Sequence, residues 1–157
     1  MKKILSSNCY IKSCLTLFAF LCLSTMQAQS PKGKLFIIGG GDRSDELMTQ
    51  LLNLSELKKN DYIVVLPMSS GEPVESFTYF KSQLQNLTPN PIIMMNYDKT
   101  MVNNKVLNDS LQNAKLIFIS GGDQTRFMNV VKNTPVYTAI HKAYENGSII
   151  AGTSAGA

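Results

Sequence analysis

Ser148-Ile149-Ile150-Ala151-Gly152-Thr153-Ser154-Ala155-Gly156-Ala157 is the stretch on which the reading of this chain turns. A short apolar run, Ile149 to Ala151, leads straight into Gly152-Thr153-Ser154-Ala155-Gly156. That is the pattern G-x-S-x-G, in which a serine sits on a tight turn between a strand and a helix. The requirement is steric. The turn forces Ser154 into a sparsely allowed backbone conformation, so the residues two before and two after it must be small. Gly152 and Gly156 meet that need, and Ala155 adds little bulk. Such a turn lifts the hydroxyl above the sheet edge and lets the next backbone N–H point at an oxyanion. The plainer reading is a glycine-rich turn whose serine is incidental, and five residues alone do not separate the two.

Upstream of this stretch, strands alternate with helices. Lys34 to Ile38 reads as a first strand, followed at once by Gly39-Gly40-Gly41-Asp42. This loop is neither G-x-G-x-x-G nor a P-loop, so a tight turn or a close backbone approach is the better reading than a nucleotide site. A helix from about Ser44 to Leu57 shows Leu47, Leu51 and Leu54 on one face. Asp61 to Leu66 is a second strand whose continuous apolar run implies burial on both faces, as in a parallel sheet. The loop Pro67 to Pro73 carries hydroxyls and Glu72, which could meet a substrate or simply cap the next helix. That helix, Val74 to Leu87, carries Phe77, Phe80, Leu84 and Leu87 on a core stripe. A third strand (Pro91 to Met95), a short helix with Val106 and Leu107 (Asn103 to Gln112) and a fourth strand (Lys115 to Ile119) follow.

The fourth strand ends in Ser120-Gly121-Gly122-Asp123-Gln124-Thr125-Arg126. Asp123 stands where an N-cap would open a helix from Gln124 to Lys132. Backbone N–H groups at such a helix start favour anions. Thr134-Pro135 opens the next helix, which runs to Asn146, and Gly147 lies just past its end. Val136, Ile140, Ala143 and Tyr144 form its inward face. The pattern predicts a doubly wound, mostly parallel α/β sheet sandwiched by helices, with its sites at the carboxyl ends of the strands. All three glycine loops (39–42, 121–123, 152–156) fall at such ends.

Composition excludes other classes. Lys2, Lys3 and Lys12 precede an apolar run from Cys14 to Leu23, and Ala28 offers a cleavage point. Residues 1–28 therefore read as a secretory signal peptide, with an uncleaved anchor as the alternative. The run of about ten residues is short of the roughly 20 that a membrane span needs. On this reading residues 29–157 are the mature domain, periplasmic or secreted, with no stable membrane insertion after cleavage. Cys9, Cys14 and Cys22 all leave with the leader. The mature part keeps twelve basic residues against eleven acidic ones. The pI near 9.0 is thus mostly the leader's and gives no argument for nucleic acid. One histidine and no mature cysteine argue against a zinc site.

If Ser154 attacks a carbonyl, the resulting oxyanion needs two preorganised donors. The N–H of Ala155 is one by elbow geometry. Gly122 is the best second, because a glycine lets its N–H approach closely. Asp123, Gln124 and Arg126 flank it and could bind polar or charged substrate groups, against the plainer roles of helix cap and solvated helix residue. A general base must take the serine proton. His141 lies on the outward stripe of its helix beside Tyr137 and Glu145, and reads as a surface residue.

At these residues the chain resembles the cyanophycinase and dipeptidase E family of serine peptidases. The likeness rests on the strand into Gly39-Gly40-Gly41, on Ile117 to Arg126, and on Ala151-Gly152-Thr153-Ser154-Ala155-Gly156-Ala157, whose forms are nearest the cyanophycinase branch. The resemblance implies a flavodoxin-like fold of the class I glutamine amidotransferase type, with serine in place of that family's cysteine. It implies a cofactor-free and metal-free serine peptidase acting on a peptide substrate of aspartyl or β-aspartyl-arginine type. Ser154 matches the nucleophile, Gly122 and Ala155 the oxyanion donors, and Asp123 and Gln124 a loop lining the substrate pocket. The family's histidine and acidic partner follow the serine. Neither is present in residues 1–157, so the chain reads as an amino-terminal fragment truncated after the elbow, inactive alone. Two readings compete with this one: a non-catalytic binding module of amidotransferase-like fold, and an α/β-hydrolase esterase, whose usual His-Gly-Gly-Gly loop is absent. A homodimer is compatible with the chain.

Overall fold

The computed structural model describes residues 30–157; the leader read over residues 1–28 lies outside them. Five strands form one parallel sheet: β1 (Lys34–Ile38), β2 (Ile63–Leu66), β3 (Ile92–Met94), β4 (Leu116–Ile119) and β5 (Ile149–Thr153). Their order across the sheet is β1-β5-β4-β2-β3. Five helices connect them: α1 (Asp45–Ser55), α2 (Pro73–Leu84), α3 (Lys105–Gln112), α4 (Gln124–Val131) and α5 (Pro135–Glu145). The expected doubly wound α/β architecture is therefore observed.

Strand side chains alternate between two cores, as the two-residue period of a strand requires. Ile63 and Val65 of β2, Leu116 and Phe118 of β4, and Ile149 and Ala151 of β5 face α1 and α2. There they meet Met48, Leu51, Phe80 and Leu84. Phe80 and Phe118 stack with ring centroids 3.9 Å apart. Val64, Leu66 and Ile117 face the other way, towards Leu111, Val131, Val136, Ala139 and Ala143 of α3, α4 and α5. All four β2 residues are fully buried, as their unbroken apolar run implies. Each such side chain contributes roughly 1.5–3 kcal/mol on burial.

Helix starts follow the capping chemistry. Ser44 Oγ accepts the Leu47 N–H at 3.3 Å, and Asn104 Oδ1 accepts the Leu107 N–H at 3.2 Å. Pro73 and Pro135 occupy first-turn positions. Thr134 stands at the cap of α5, but its hydroxyl donates back to the Val131 carbonyl at 2.8 Å instead of capping.

Two details of the sequence reading need correction. α1 stops at Ser55, because Glu56 turns left-handed (φ 50°). α2 ends at Leu84, and Leu87, expected on the core stripe, is 43 % exposed beyond it. In α3, Leu107 and Leu111 pack on the core, while Val106 is 73 % exposed.

Candidate active site at the carboxyl edge of the sheet

β5 runs between β1 and β4, pairing Ile38 with Thr153 on one side and Ile119 with Gly152 on the other. Ser154 follows immediately, exposed, at φ 51°. A left-handed conformation costs a non-glycine residue roughly 1–2 kcal/mol. It persists only where the surroundings over-determine it.

The surroundings here are backbone. A Cβ on Gly152 would fall 1.8 Å from the Gly156 carbonyl oxygen, so the turn folds back directly over the strand end. A Cβ on Gly156 would fall 2.3 Å from the Ser120 carbonyl oxygen. Ser154–Gly156 closes as a single 3₁₀ turn, with the Ala157 N–H donating to the Ser154 carbonyl at 3.1 Å. Both glycines of the motif are thus sterically required, as the pattern argued.

The two other glycine loops close on the same point. A Cβ built on Gly40 (φ 111°) would lie 3.6 Å from Ser154 Cβ and 3.9 Å from Ser154 Oγ. One built on Gly121 would lie 3.3 Å from Ser154 Cβ. Gly122 has φ 137°, and a side chain there would strike the Ser69 carbonyl at 2.2 Å. Among the described residues its N–H has no hydrogen-bond acceptor.

Asp123 caps α4: its Oδ1 accepts the Thr125 N–H at 2.7 Å and the Arg126 N–H at 3.3 Å. Those N–H donors hold the carboxyl below its ordinary pKa, with the nearby Arg126 charge helping. Gln124 and Arg126 are exposed on the first turn of α4. The Arg126 guanidinium reaches to 3.5 Å of where a Gly71 side chain would begin.

Beside the elbow lies a groove of about 610 Å³. Ile37, Gln124, Met128, Ile150 and Ala155 are among its walls. It reaches Ala155 and Gln124, but Ser154, Gly122 and Asp123 stand outside it. His141 is exposed, and its ring lies 4.2 Å from that of Tyr137. Among the described residues it makes no ion pair with Glu145. The end of α5 lies at the amino end of β1, where the Lys32 N–H donates to the Glu145 carbonyl at 3.4 Å, so His141, one turn before it, sits towards the opposite sheet edge from Ser154.

Two residues take supporting roles that the sequence reading does not give them. Arg43, half-buried, carries its guanidinium 4.9 Å above the Tyr79 ring and 5.4 Å from that of Phe118. Its Nε donates to Gln83 Oε1 at 2.8 Å, and Gln83 Nε2 returns a bond to the Arg43 carbonyl at 3.1 Å. This pins the loop that brings Gly40 to Ser154. Burial lowers the guanidinium pKa, which the chain tolerates because aromatic faces attract the cation. The other residue is Ser69. Its hydroxyl, read above as a substrate or capping group, is fully buried against the Ser120 loop. No sequence signal marks either residue.

Comparison with known proteins agrees with this fold. The chain is 25% identical over 134 residues to the cyanophycinase of Trichormus variabilis, covering 82% of this chain and 45% of that protein. It is 28% identical over 139 residues to the cyanophycinase of Synechococcus elongatus, covering 85% and 43%. It spans less than half the length of these relatives. Among solved structures, a peptidase from an acI-B1 Actinobacterium superposes with a TM-score of 0.67 at 21% identity, over 82% of this chain and 57% of that one, a likeness of fold. The profile of peptidase family S51 matches residues 35–157. The chain belongs to peptidase family S51.

Proposed function

We propose that the full-length protein is a serine peptidase in which Ser154 is the nucleophile. The observation that carries this reading is the exposed Ser154 at φ 51°, with Gly40 and Gly121 pressed against it. In the proposed reaction Ser154 Oγ attacks the scissile carbonyl and its proton passes to a general base. The oxyanion is held by the N–H groups of Ala155 and Gly122, each donor worth about 10²–10³-fold in rate. The C–N bond then breaks, the amine leaves with the proton, and water releases the acyl group from the serine. His141 sits at the wrong sheet edge to be the base. We assign neither the base nor its acidic partner to residues 30–157.

Asp123 and Gln124 line the substrate side of this site in our reading. Oδ1 of Asp123 is occupied by the helix cap, so Oδ2 is the oxygen available to a substrate cation. The substrate class is a peptide bond of aspartyl or β-aspartyl-arginine type, supported by the likeness to cyanophycinases. The basic and then apolar leader over residues 1–28 supports a periplasmic or secreted enzyme.

The test is Ser154→Ala in the full-length protein, assayed for hydrolysis of β-aspartyl-arginine and aspartyl dipeptides. Turnover should fall at least about 10⁴-fold with the fold intact. Undiminished turnover would mean that Ser154 is not the nucleophile. Absence of turnover in the unmutated protein, together with retained peptide binding, would favour a binding module.

A further inference from the structure

Ser69 follows β2 in a turn where it is fully buried. Its Oγ–H is shared between the Ser120 carbonyl and, at 3.2 Å, the next carbonyl, that of Gly121, and the Oγ lies 3.3 Å from Ser120 Oγ. Its own carbonyl accepts the Asp123 N–H at 2.8 Å and lies against Gly122. The link is reinforced by the Ser120 N–H, which donates to the Leu66 carbonyl at 3.2 Å. One buried residue thus touches three successive peptide units of the loop from Ser120 to Asp123.

A trans peptide is planar, with its C=O and N–H pointing in opposite directions. The Gly121 carbonyl and the Gly122 N–H belong to one such unit. Holding the carbonyl towards Ser69 turns the N–H away from Ser69, and that N–H has no acceptor among the described residues. Glycine residues at 121 and 122 leave this segment free to rotate, so the orientation has to come from elsewhere.

We infer that Ser69 is a positioning residue that aims the Gly122 N–H as an oxyanion donor. This rests on the reading of Ser154 and Gly122 given under the proposed function. A freely rotating glycine peptide would have to be oriented during the reaction; one already held by a buried hydroxyl need not reorganise.

The experiment uses the full-length protein with a β-aspartyl-arginine dipeptide and a serine-reactive phosphonate. Ser69→Ala keeps the donor but frees its orientation. The expected kcat loss is about 10–10²-fold, less than for losing a donor outright, with KM within about threefold. Phosphonate labelling, which passes through a similar oxyanion, should slow by the same factor as kcat/KM. Ser120→Ala is the matched control, since it removes a hydroxyl from the same buried cluster, one that lies 3.3 Å from Ser69 Oγ and 3.4 Å from the Leu66 carbonyl, while leaving the Ser69 Oγ bond to the Gly121 carbonyl in place. It should reduce stability yet leave kcat within about threefold of wild type, because the Gly121–Gly122 peptide keeps its partner. If Ser69→Ala does not fold, Ser69→Cys, a similar shape with a weak donor, should still lower kcat at least about fivefold.

A kcat in Ser69→Ala (or in Ser69→Cys, where that variant decides) close to wild type overturns the inference. So does an equal loss in Ser120→Ala. Running Ser154→Ala alongside separates the two levels. Retained turnover there overturns the peptidase reading itself. Lost turnover there with an unaffected Ser69 variant overturns only the positioning role.

Discussion

Replacing Ser154 by glycine should make the protein more stable than replacing it by alanine, although both changes remove the hydroxyl. Ser154 has φ 51°, in the region that L side chains avoid. Alanine keeps the Cβ and so keeps the clash, which costs roughly 1–2 kcal/mol. Glycine removes the clash but adds unfolded-chain entropy worth about 0.5–1 kcal/mol. The difference leaves Ser154→Gly about 1 kcal/mol more stable than Ser154→Ala. For a chain of 150–250 residues that is a Tm higher by roughly 2–4 °C, and less for a longer one. Denaturant unfolding of the two full-length variants, with matched m-values, gives the same quantity directly. Both variants should be inactive, so the expected pairing is greater stability without function. A glycine variant no more stable than the alanine one would show that the bend at Ser154 stores no steric cost. The argument that backbone geometry presents the hydroxyl would then fail.

Three further outcomes follow from the same loops. Gly152→Ala should destabilise by about 3 kcal/mol, because a Cβ would lie 1.8 Å from a backbone oxygen that cannot move without unmaking the turn. Gly39→Ala, with nothing within 4 Å of its Cβ, should stay within about 0.5 kcal/mol of wild type; denaturant titration checks both. Asp123→Ala should destabilise at neutral pH by uncapping α4. The carboxyl's folded pKa lies below its unfolded value near 3.8, so its contribution is present above that value and is lost as pH falls through the folded one. The stability gap between wild type and Asp123→Ala should therefore close on acidification below about pH 4, measurable by unfolding at pH 7, 4 and 2.5.

What was legible in the sequence depended on chemistry confined to a few adjacent residues. Gly152 and Gly156 around Ser154 announce the elbow because the clash they avoid is within one turn. Asp123 announces α4 because an N-cap acts on N–H groups two and three residues on. The unbroken apolar run of β2 announces burial on both faces. The reading failed where partners are distant. Ser69 looks like any loop serine; its role exists only because the sheet order sets β2 beside β4, bringing it to a loop 51 residues later. Arg43 looks solvated until α2 supplies Tyr79 and Gln83. The end of α1 at Glu56 was missed because a glutamate carries no left-handed signal of the kind glycine gives. Leu87 was misplaced because helical spacing continues in the letters after α2 has ended.

The sheet order also bears on how the molecule assembles. β5 comes last among the described strands, yet it lies second in the row, clasped between β1 and β4. Until it is in place, β1 has no strand to pair with among the described residues, although its first pairing, Lys34 with Ile149, waits on chain made more than a hundred residues later. Such late, long-range closure slows folding relative to local pairing. A nascent chain therefore carries β1 without this partner until Ile149 has been made. The insertion that joins β1 to the row of β4, β2 and β3 is the same event that sets the serine at its summit, so a correctly closed sheet and a presented hydroxyl arise together or not at all.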